Sequence, residues 1–367
     1  MKKIKIIISG GGTGGHIYPA IAVAQSLQKM LQGNVEFLFV GASDRMEMEK
    51  IPKAGYKIIG LWISGLQRRI TYKNFLFPFK IIYSVIKSLS IIKQFKPDVA
   101  IGFGGYASGA MLYAATLKKI PSLIHEQNSY AGITNKILKK RVDKICVAYD
   151  GMQRFFPEEK IVKTGNPIRE DLQNISNKKD KAIAFYNLDP NKKTLLVIGG
   201  SLGARSINES IFQGIEKIKQ ANINLIWQTG ESFSKAKNIH FPNFAIQNFI
   251  YEMDLAYSAA DVVISRAGAL SIAELCLVEK PVILVPSPNV AEDHQTKNAT
   301  SLSEANAAIL IKDLDAKHVL IDEAIQLLND TEKQNILKNN IAKFSIPNAA
   351  EMIANEVLEL IATKNKV

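Results

Sequence analysis

Short β-branched runs recur along the chain, each bounded by glycine or polar residues and followed by a longer stretch with helical spacing. The first begins at Ile4 and carries Ile6-Ile7-Ile8-Ser9 into the turn Gly10-Gly11-Gly12-Thr13-Gly14-Gly15-His16. From Ile17 to Ala24 the sequence then reads as the opening of a helix. Further strands are predicted at Val35–Val40, Asp98–Gly102, Ser122–His125 and Lys144–Ala148. Strand and helix alternating in this way argue for a parallel sheet covered on both faces. Ligands of such sheets bind beyond the carboxyl ends of the strands, where the first glycine turn, Phe103–Ser108 and His125–Asn128 fall.

A break follows. Thr164-Gly165-Asn166-Pro167-Ile168-Arg169 is a turn-rich connector, and Asn174–Lys181 is polar and charged. A second alternating series opens with Thr194–Ile198 and the turn Gly199-Gly200-Ser201-Leu202-Gly203-Ala204, and continues with strands at Asn224–Gln228, Val262–Ser265 and Val282–Pro286. The fold class expected is therefore α/β, with a first domain over residues 1–164 and a second over 165–346. Residues 347–364 read as a helix with apolar Met352, Ile353, Val357, Leu358 and Ile361, expected to pack back on the first domain.

At 367 residues the chain has material for two cores, and its 47% hydrophobic and 22% charged content suits a soluble globular protein. The windows Ile6–Gln28 and Val99–Leu117 approach the ~20 residues of a membrane span. Glycine turns and polar residues in their first halves make them strand–turn–helix units instead. Cys146 and Cys276 stand far apart in apolar surroundings, which excludes a disulfide scaffold, offers no zinc spacing and suits a reducing compartment. Met1-Lys2-Lys3 runs straight into the first strand, so no signal peptide is expected. The net charge of +12 suits nucleic acid or an anionic membrane face, and a generally basic solvated surface accounts for it equally.

Gly10, Gly12 and Gly15 satisfy the G-x-G-x-x-G dinucleotide fingerprint. That fingerprint needs an acidic residue at the end of the second strand for the ribose hydroxyls. Here the strand ends Phe39-Val40-Gly41-Ala42-Ser43 and Asp44 comes too late, so the nicotinamide reading fails. The second turn has the same physics plus a hydroxyl. Ser201 and the N–H groups after it suit a diphosphate at a helix N-terminus, and Arg169 can add a charge-assisted bond. A tight turn that merely needs small residues is the plainer alternative. In Ser265-Arg266-Ala267-Gly268-Ala269-Leu270-Ser271-Ile272-Ala273-Glu274, Gly268 opens a helix at a strand end, and Glu274 stands near enough to its start to accept a ribose diol. The alternative is a solvated helix glutamate. Glu292-Asp293-His294-Gln295 adds polar groups beyond the next strand. Asp313-Leu314-Asp315 has the form of an Asp-x-Asp metal clamp but reads more simply as the cap of a helix beginning near Ala316, so no metal is expected.

Seven segments, in order, carry a resemblance: Gly11–His16, Gly102–Tyr106, His125–Asn128, Gly165–Arg169, Gly199–Ala204, Arg266–Ala269 with Glu274, and Asp293–Gln295. Together the chain resembles the GT-B glycosyltransferases that add N-acetylglucosamine to the undecaprenyl-linked peptidoglycan precursor. The resemblance implies two Rossmann-like parallel-sheet domains facing a central cleft, with UDP-N-acetylglucosamine (UDP-GlcNAc) mainly in the second. By that carry-over Ile250 holds uracil through its backbone, Glu274 takes the ribose hydroxyls, and Ser201 and Arg169 bind the diphosphate. Ala269, Leu270 and Ser271 line the pocket, while Asn128, Gln295 and Thr13-Gly14-Gly15 approach the donor sugar. Gly104, Gly105 and Tyr106 are acceptor-side candidates. The acceptor is the lipid-linked N-acetylmuramoyl-peptide, the new β-1,4 bond forms with inversion, and no cofactor is required. On this reading the phosphate served by the first glycine turn is the lipid's own pyrophosphate.

Inverting transfer needs a base for the acceptor hydroxyl. His16, at the mouth of the first turn, is the candidate, since a histidine ordinarily titrates near neutrality; a role in orienting the acceptor remains equally open. The lipid demands a membrane. Arg68, Arg69 and Lys73 interleave with Phe75, Phe77 and Phe79, a composition suited to an anionic bilayer, with the loop Gly65–Phe79 expected to touch lipid while the following helix packs. The expected location is peripheral, on the cytoplasmic face of the bacterial plasma membrane, with cell-wall synthesis and division proteins as further partners. No nucleic-acid-reading motif accompanies the basic residues. The rivals are another UDP-sugar enzyme of the same fold, a diacylglycerol glycosyltransferase or a UDP-GlcNAc epimerase, and a non-catalytic sugar-nucleotide-binding protein.

Overall fold

The computed structural model describes residues 3–65, 76–200, 202–290 and 293–364. The chain divides into two compact units: Met1–Arg169 with Asn348–Val367, and Glu170–Pro347.

In the first unit the strands are β1 (Ile4–Ser9), β2 (Val35–Ala42), β3 (Ile58–Leu61), β4 (Val99–Gly102), β5 (Ser122–Glu126), β6 (Lys144–Val147) and β7 (Ile161–Lys163). They form a wholly parallel sheet in the order β3-β2-β1-β4-β5-β6-β7. Its helices are α1 (Gly14–Met30), α2 (Glu47–Lys53), α3 (Phe77–Phe95), α4 (Tyr106–Leu117) and α5 (Ile133–Leu138). The unbroken isoleucine run of β1 follows from burial on both faces. Ile7 faces one core, with Ala110, Met111 and Ala114 of α4, and Ile6 and Ile8 face the other, with Val23, Ala24 and Leu27 of α1.

The second unit repeats the plan. Strands β8 (Thr194–Ile198), β9 (Asn224–Gln228), β10 (Phe244–Gln247), β11 (Val262–Ser265), β12 (Val282–Leu284) and β13 (Ile309–Leu310) make a parallel sheet in the order β10-β9-β8-β11-β12-β13. Its helices are α6 (Lys179–Phe185), α7 (Arg205–Gln213), α8 (Ile215–Gln220), α9 (Met253–Ala259), α10 (Ala269–Val278), α11 (His294–Glu304), α12 (Ala316–Asn329) and α13 (Thr331–Ala342). Leu195 and Val197 point into one core, Leu196 and Ile198 into the other.

The last helix, α14 (Ala349–Lys364), returns to the first unit. Ile353, Ala354, Val357 and Ile361 join the core that holds Ile6 and Ile8, and Lys144 of β6 pairs with Glu356 and Glu359. Each sheet reverses its strand order once, between β1 and β4 in the first unit and between β8 and β11 in the second. Such switch points part the loops on either side and leave a crevice at the strands' carboxyl ends.

Helix α3 packs as expected, but on a narrow face. Its buried residues are Ser84, Ser88, Ile91 and Ile92, whereas Phe79, Ile82 and Ile86 stand 66%, 59% and 61% exposed, with Tyr83 and Trp62 beside them. The small serines let the helix lie close to alanine-rich α4, which turns the bulkier apolar face outward. Arg68, Arg69, Lys73 and Phe75 lie outside the described residues.

Candidate active site

At the first switch point the turn after β1 meets the turn after β4. Phe103 donates its N–H to Ser9 O at 2.8 Å, which sets Gly104-Gly105 against Gly11. Gly105 has φ +85°, and a Cβ there would sit 2.7 Å from the Gly11 oxygen, so only glycine closes this approach. That oxygen is occupied: His16 Nδ1 lies 2.7 Å from it. A carbonyl can only accept, so Nδ1 carries the hydrogen, and in the neutral form of such a ring the lone pair is on Nε2. Nε2 faces the backbone of Gly104, where a Cβ would come within 2.9 Å of it. Thr13 N-caps α1 in an extended conformation without using its side chain as a cap, and Gly14 and Gly15 form the helix's first residues. Tyr106 begins α4, half exposed, its ring against the backbone of Gly65.

The next strand end is braced from below. His125 is fully buried; Nε2 donates to Gly165 O at 2.9 Å, and Nδ1 accepts from Gln127 Nε2 at 3.1 Å. Burial pushes its pKa down to about 4, against a partly compensating bond to Gly165, so the ring is neutral in this arrangement. Buried Glu126 collects the N–H of Asn128 at 3.2 Å, that of Gly132 at 2.9 Å and the Asn135 amide at 2.9 Å, which fixes the loop bearing Asn128. Arg169, the last residue of this stretch of the first unit, lies with its guanidinium over the Tyr18 ring, 5.8 Å from the centroid.

One expectation for the first turn changes. The N–H of Gly12, which a phosphate cradle would present outward, is donated inward to Glu47 Oε2 at 2.9 Å. Glu47 was not legible as part of this turn. It comes from the start of α2, and no local pattern marks it.

In the second unit, the turn after β8 and the start of α10 flank the switch point. Ser201 lies outside the described residues, as do Ala291 and Glu292. Gln228, the last residue of β9, donates to Gly200 O at 2.8 Å and accepts the N–H of Ile250 at 3.0 Å. One buried amide thereby ties the glycine turn to the Ile250 backbone. Gly268 N-caps α10; Ala269 is buried, and Leu270 and Ser271 are half-buried in its first turn. Glu274, 7% exposed, accepts the Tyr257 hydroxyl at 3.1 Å. Gln295, in the first turn of α11, accepts the Ser287 N–H through Oε1 at 2.9 Å.

Arg266 and Asp313 form a further pair that sequence reasoning did not join. Arg266 donates to Val285 O at 2.9 Å and to Ser206 Oγ at 3.0 Å, and pairs with Asp313, to which Ser206 also donates. Asp313 is therefore tied to the loop before α10. Asp315 stands at the N-cap of α12 without a side-chain capping bond.

Two parallel-sheet units, each with a glycine turn and a helix start at its switch point, define the α/β class of GT-B glycosyltransferases. Residues 6–147 match the glycosyltransferase family 28 N-terminal domain and residues 194–355 the family 28 C-terminal domain. The chain belongs to glycosyltransferase family 28. A relative from Cytophaga hutchinsonii, named UDP-N-acetylglucosamine--N-acetylmuramyl-(pentapeptide) pyrophosphoryl-undecaprenol N-acetylglucosamine transferase, is 52% identical over 366 residues, covering 100% of this chain and 99% of its own. A Flavobacterium psychrophilum protein of the same name is 51% identical, covering 99% of this chain and 100% of its own. Among solved structures, Acinetobacter baumannii MurG is similar with a TM-score of 0.75 and 28% identity, over 97% of this chain and 99% of that one. A UDP-GlcNAc 2-epimerase from Neisseria meningitidis, bound to UDP-GlcNAc, shares the fold at 17% identity and a TM-score of 0.68, over 97% of this chain and 100% of that one.

Proposed function

We propose that the chain transfers N-acetylglucosamine, with inversion, from UDP-GlcNAc to the 4-hydroxyl of undecaprenyl-pyrophosphoryl-N-acetylmuramoyl-peptide. The observation that carries this reading is a glycine turn and helix start at the switch point of each sheet, in a chain that aligns along its whole length with transferases of that name. The acceptor oxygen attacks the anomeric carbon from the face opposite the nucleotide. The bond from that carbon to the β-phosphate oxygen breaks, its electron pair leaves with UDP, and the acceptor's proton passes to a base.

His16 Nε2 is the group assigned that proton, because the bond from Nδ1 to Gly11 O leaves Nε2 as the basic nitrogen. Gly104, Gly105 and Tyr106 belong to the acceptor side. On the donor side the Ile250 carbonyl takes the uracil N–H and Glu274 the ribose hydroxyls, while Ala269, Leu270 and Ser271 line the pocket. Ser201, Arg169 and the N-terminus of α7 receive the diphosphate, so departing UDP is stabilised by fixed positive groups and the reading requires no metal. Asn128, Gln295 and Thr13–Gly15 are assigned to the donor sugar.

Among the described residues no helix is long and apolar enough to cross a membrane. The lipid-linked acceptor is reached instead at the surface of the bilayer, by the outward face of α3 with its lysines Lys80 and Lys87 and the basic stretch that precedes it. This makes the protein peripheral, on the cytoplasmic face of the plasma membrane.

The test is radiolabelled UDP-GlcNAc with and without the lipid-linked acceptor, and with and without chelator. Label should enter the lipid fraction only when acceptor is present, and chelator should leave the rate unchanged. A new sugar product from donor alone would instead mark an epimerase. Binding without turnover would mark a carrier.

A further inference from the structure

Beneath the first glycine turn lies a carboxylate that the transfer reaction above does not use. Glu47 is fully buried at the start of α2 and has no ion-pair partner among the described residues. A buried carboxylate persists only where its oxygens are hydrogen-bonded. Here both are met by peptide groups: Oε1 accepts from Ala42 N and Oε2 from Gly12 N, each at 2.9 Å. The space is made by omission, since a Cβ on Gly11 would fall 2.0 Å from Oε1 and one on Gly41 2.5 Å from Cγ.

The Gly12 N–H and the Gly11 C=O belong to one peptide group and point in opposite directions within its plane. The carbonyl accepts His16 Nδ1–H at 2.7 Å. Carboxylate, peptide and imidazole therefore form one continuous hydrogen-bonded chain. An anion on the N–H side polarises the peptide and makes its oxygen a stronger acceptor, and hydrogen bonds in series reinforce one another.

We propose that Glu47 is a positioning residue for His16, acting through the Gly11–Gly12 peptide. It holds the ring in the Nδ1–H tautomer, fixes its orientation toward Gly104, and stabilises the positive charge the ring gains with the acceptor's proton. The arrangement does for this imidazole what a carboxylate bonded directly to the ring does in other bases, with one peptide group between them. This rests on the reading of His16 as the base.

The test is a double-mutant cycle on the full chain, assayed with UDP-GlcNAc and the lipid-linked acceptor: Glu47→Gln, His16→Ala and the two combined. Glu47→Gln keeps the side chain's shape, removes its charge and leaves one of the two peptide N–H groups without an acceptor. It should lower kcat at least about tenfold while donor KM stays within about twofold, and should cost less than about threefold when added to His16→Ala. An equal loss in both backgrounds, or a loss carried by donor KM, would make Glu47 a support of the turn and overturn the proposal. If His16→Ala retains kcat within a few-fold, the base reading itself falls and the relay with it, whatever Glu47→Gln does. Should Glu47→Gln fail to fold, Glu47→Asp, which retains the charge but is one methylene short of Gly12, takes its place in the same cycle with the same deciding outcomes.

Discussion

Tyr257 donates its hydroxyl to Glu274 Oε2 across 3.1 Å, which orients a nearly buried carboxylate in the second turn of α10. If that carboxylate takes the ribose diol, Glu274→Ala should weaken UDP binding by about 1.5–3 kcal/mol, the range for a hydrogen bond to a charged group. Tyr257→Phe, which loses the orienting bond, should cost about 0.5–1.5 kcal/mol. Calorimetric titration with UDP reads both. Unchanged affinity in Glu274→Ala would remove this residue from the ribose.

Arg266 ties Val285, Ser206 and Asp313 together, so its loss leaves a mostly buried Asp313 without its cation. Arg266→Ala should destabilise the second unit by about 3 kcal/mol, the lower end for breaking a buried pair. The chain has two tryptophans, one in each unit, and Trp227 is fully buried with its indole N–H on Asn208. In a Trp62→Phe background, urea unfolding followed by Trp227 fluorescence reports on the second unit alone. A midpoint that does not move would show the network to be dispensable.

The neutrality of buried His125 has a pH signature. The unfolded chain takes up this proton near 6.5 and the folded one only near 4, so protonation favours unfolding between those values. The contribution to stability is complete above about pH 6.5, falls through the window, and is level below about pH 4. A shift of that size corresponds to about 3 kcal/mol. Urea midpoints measured across this range should show the loss in the parent chain and a shallower one in His125→Gln. Parallel curves would assign the acid lability to other groups.

If the outward face of α3 is what meets lipid, as proposed, its apolar residues should carry the binding. Phe79→Ser with Ile82→Ser should lower partitioning onto anionic vesicles by at least about tenfold, since burying each of these side chains contributes roughly 1.5–3 kcal/mol. Charge reversal at Arg68, Arg69 and Lys73 should do so mainly at low ionic strength, where screening is weak. Sedimentation with vesicles distinguishes the two. Partitioning indifferent to both sets would place the membrane-facing surface elsewhere.

The strands that the hydrophobic pattern reveals and those it hides differ in one physical respect. The central ones, such as Ile6–Ile8 and Leu195–Ile198, are covered on both faces and read as unbroken apolar runs. The strands the pattern misses are β3, β7, β10 and β13, the four edges of the two sheets, and each is largely half-buried. An edge strand has less to cover it, so its sequence carries less of the signal.

The candidate site divides in the same way. Glycine turns are legible because a close backbone approach restricts the residue itself, as at Gly105. Glu47, Gln228 and the Arg266–Asp313 pair were not, because each acts on a residue distant in sequence that only the finished fold brings near. The outward turn of α3 was hidden for another reason. An apolar stripe has the same spacing whether it is buried in a core or left exposed.

The return of α14 to the first unit sets an order of events during synthesis. The second unit is one continuous stretch of chain and can close its core as it leaves the ribosome. The first unit must wait. The layer holding Ile6 and Ile8 stays open on one side until Ile353, Val357 and Ile361 are made, after all of the second unit. The half of the protein translated first is thus the half completed last, and removal of α14 would leave its damage at the opposite end of the sequence, around β1.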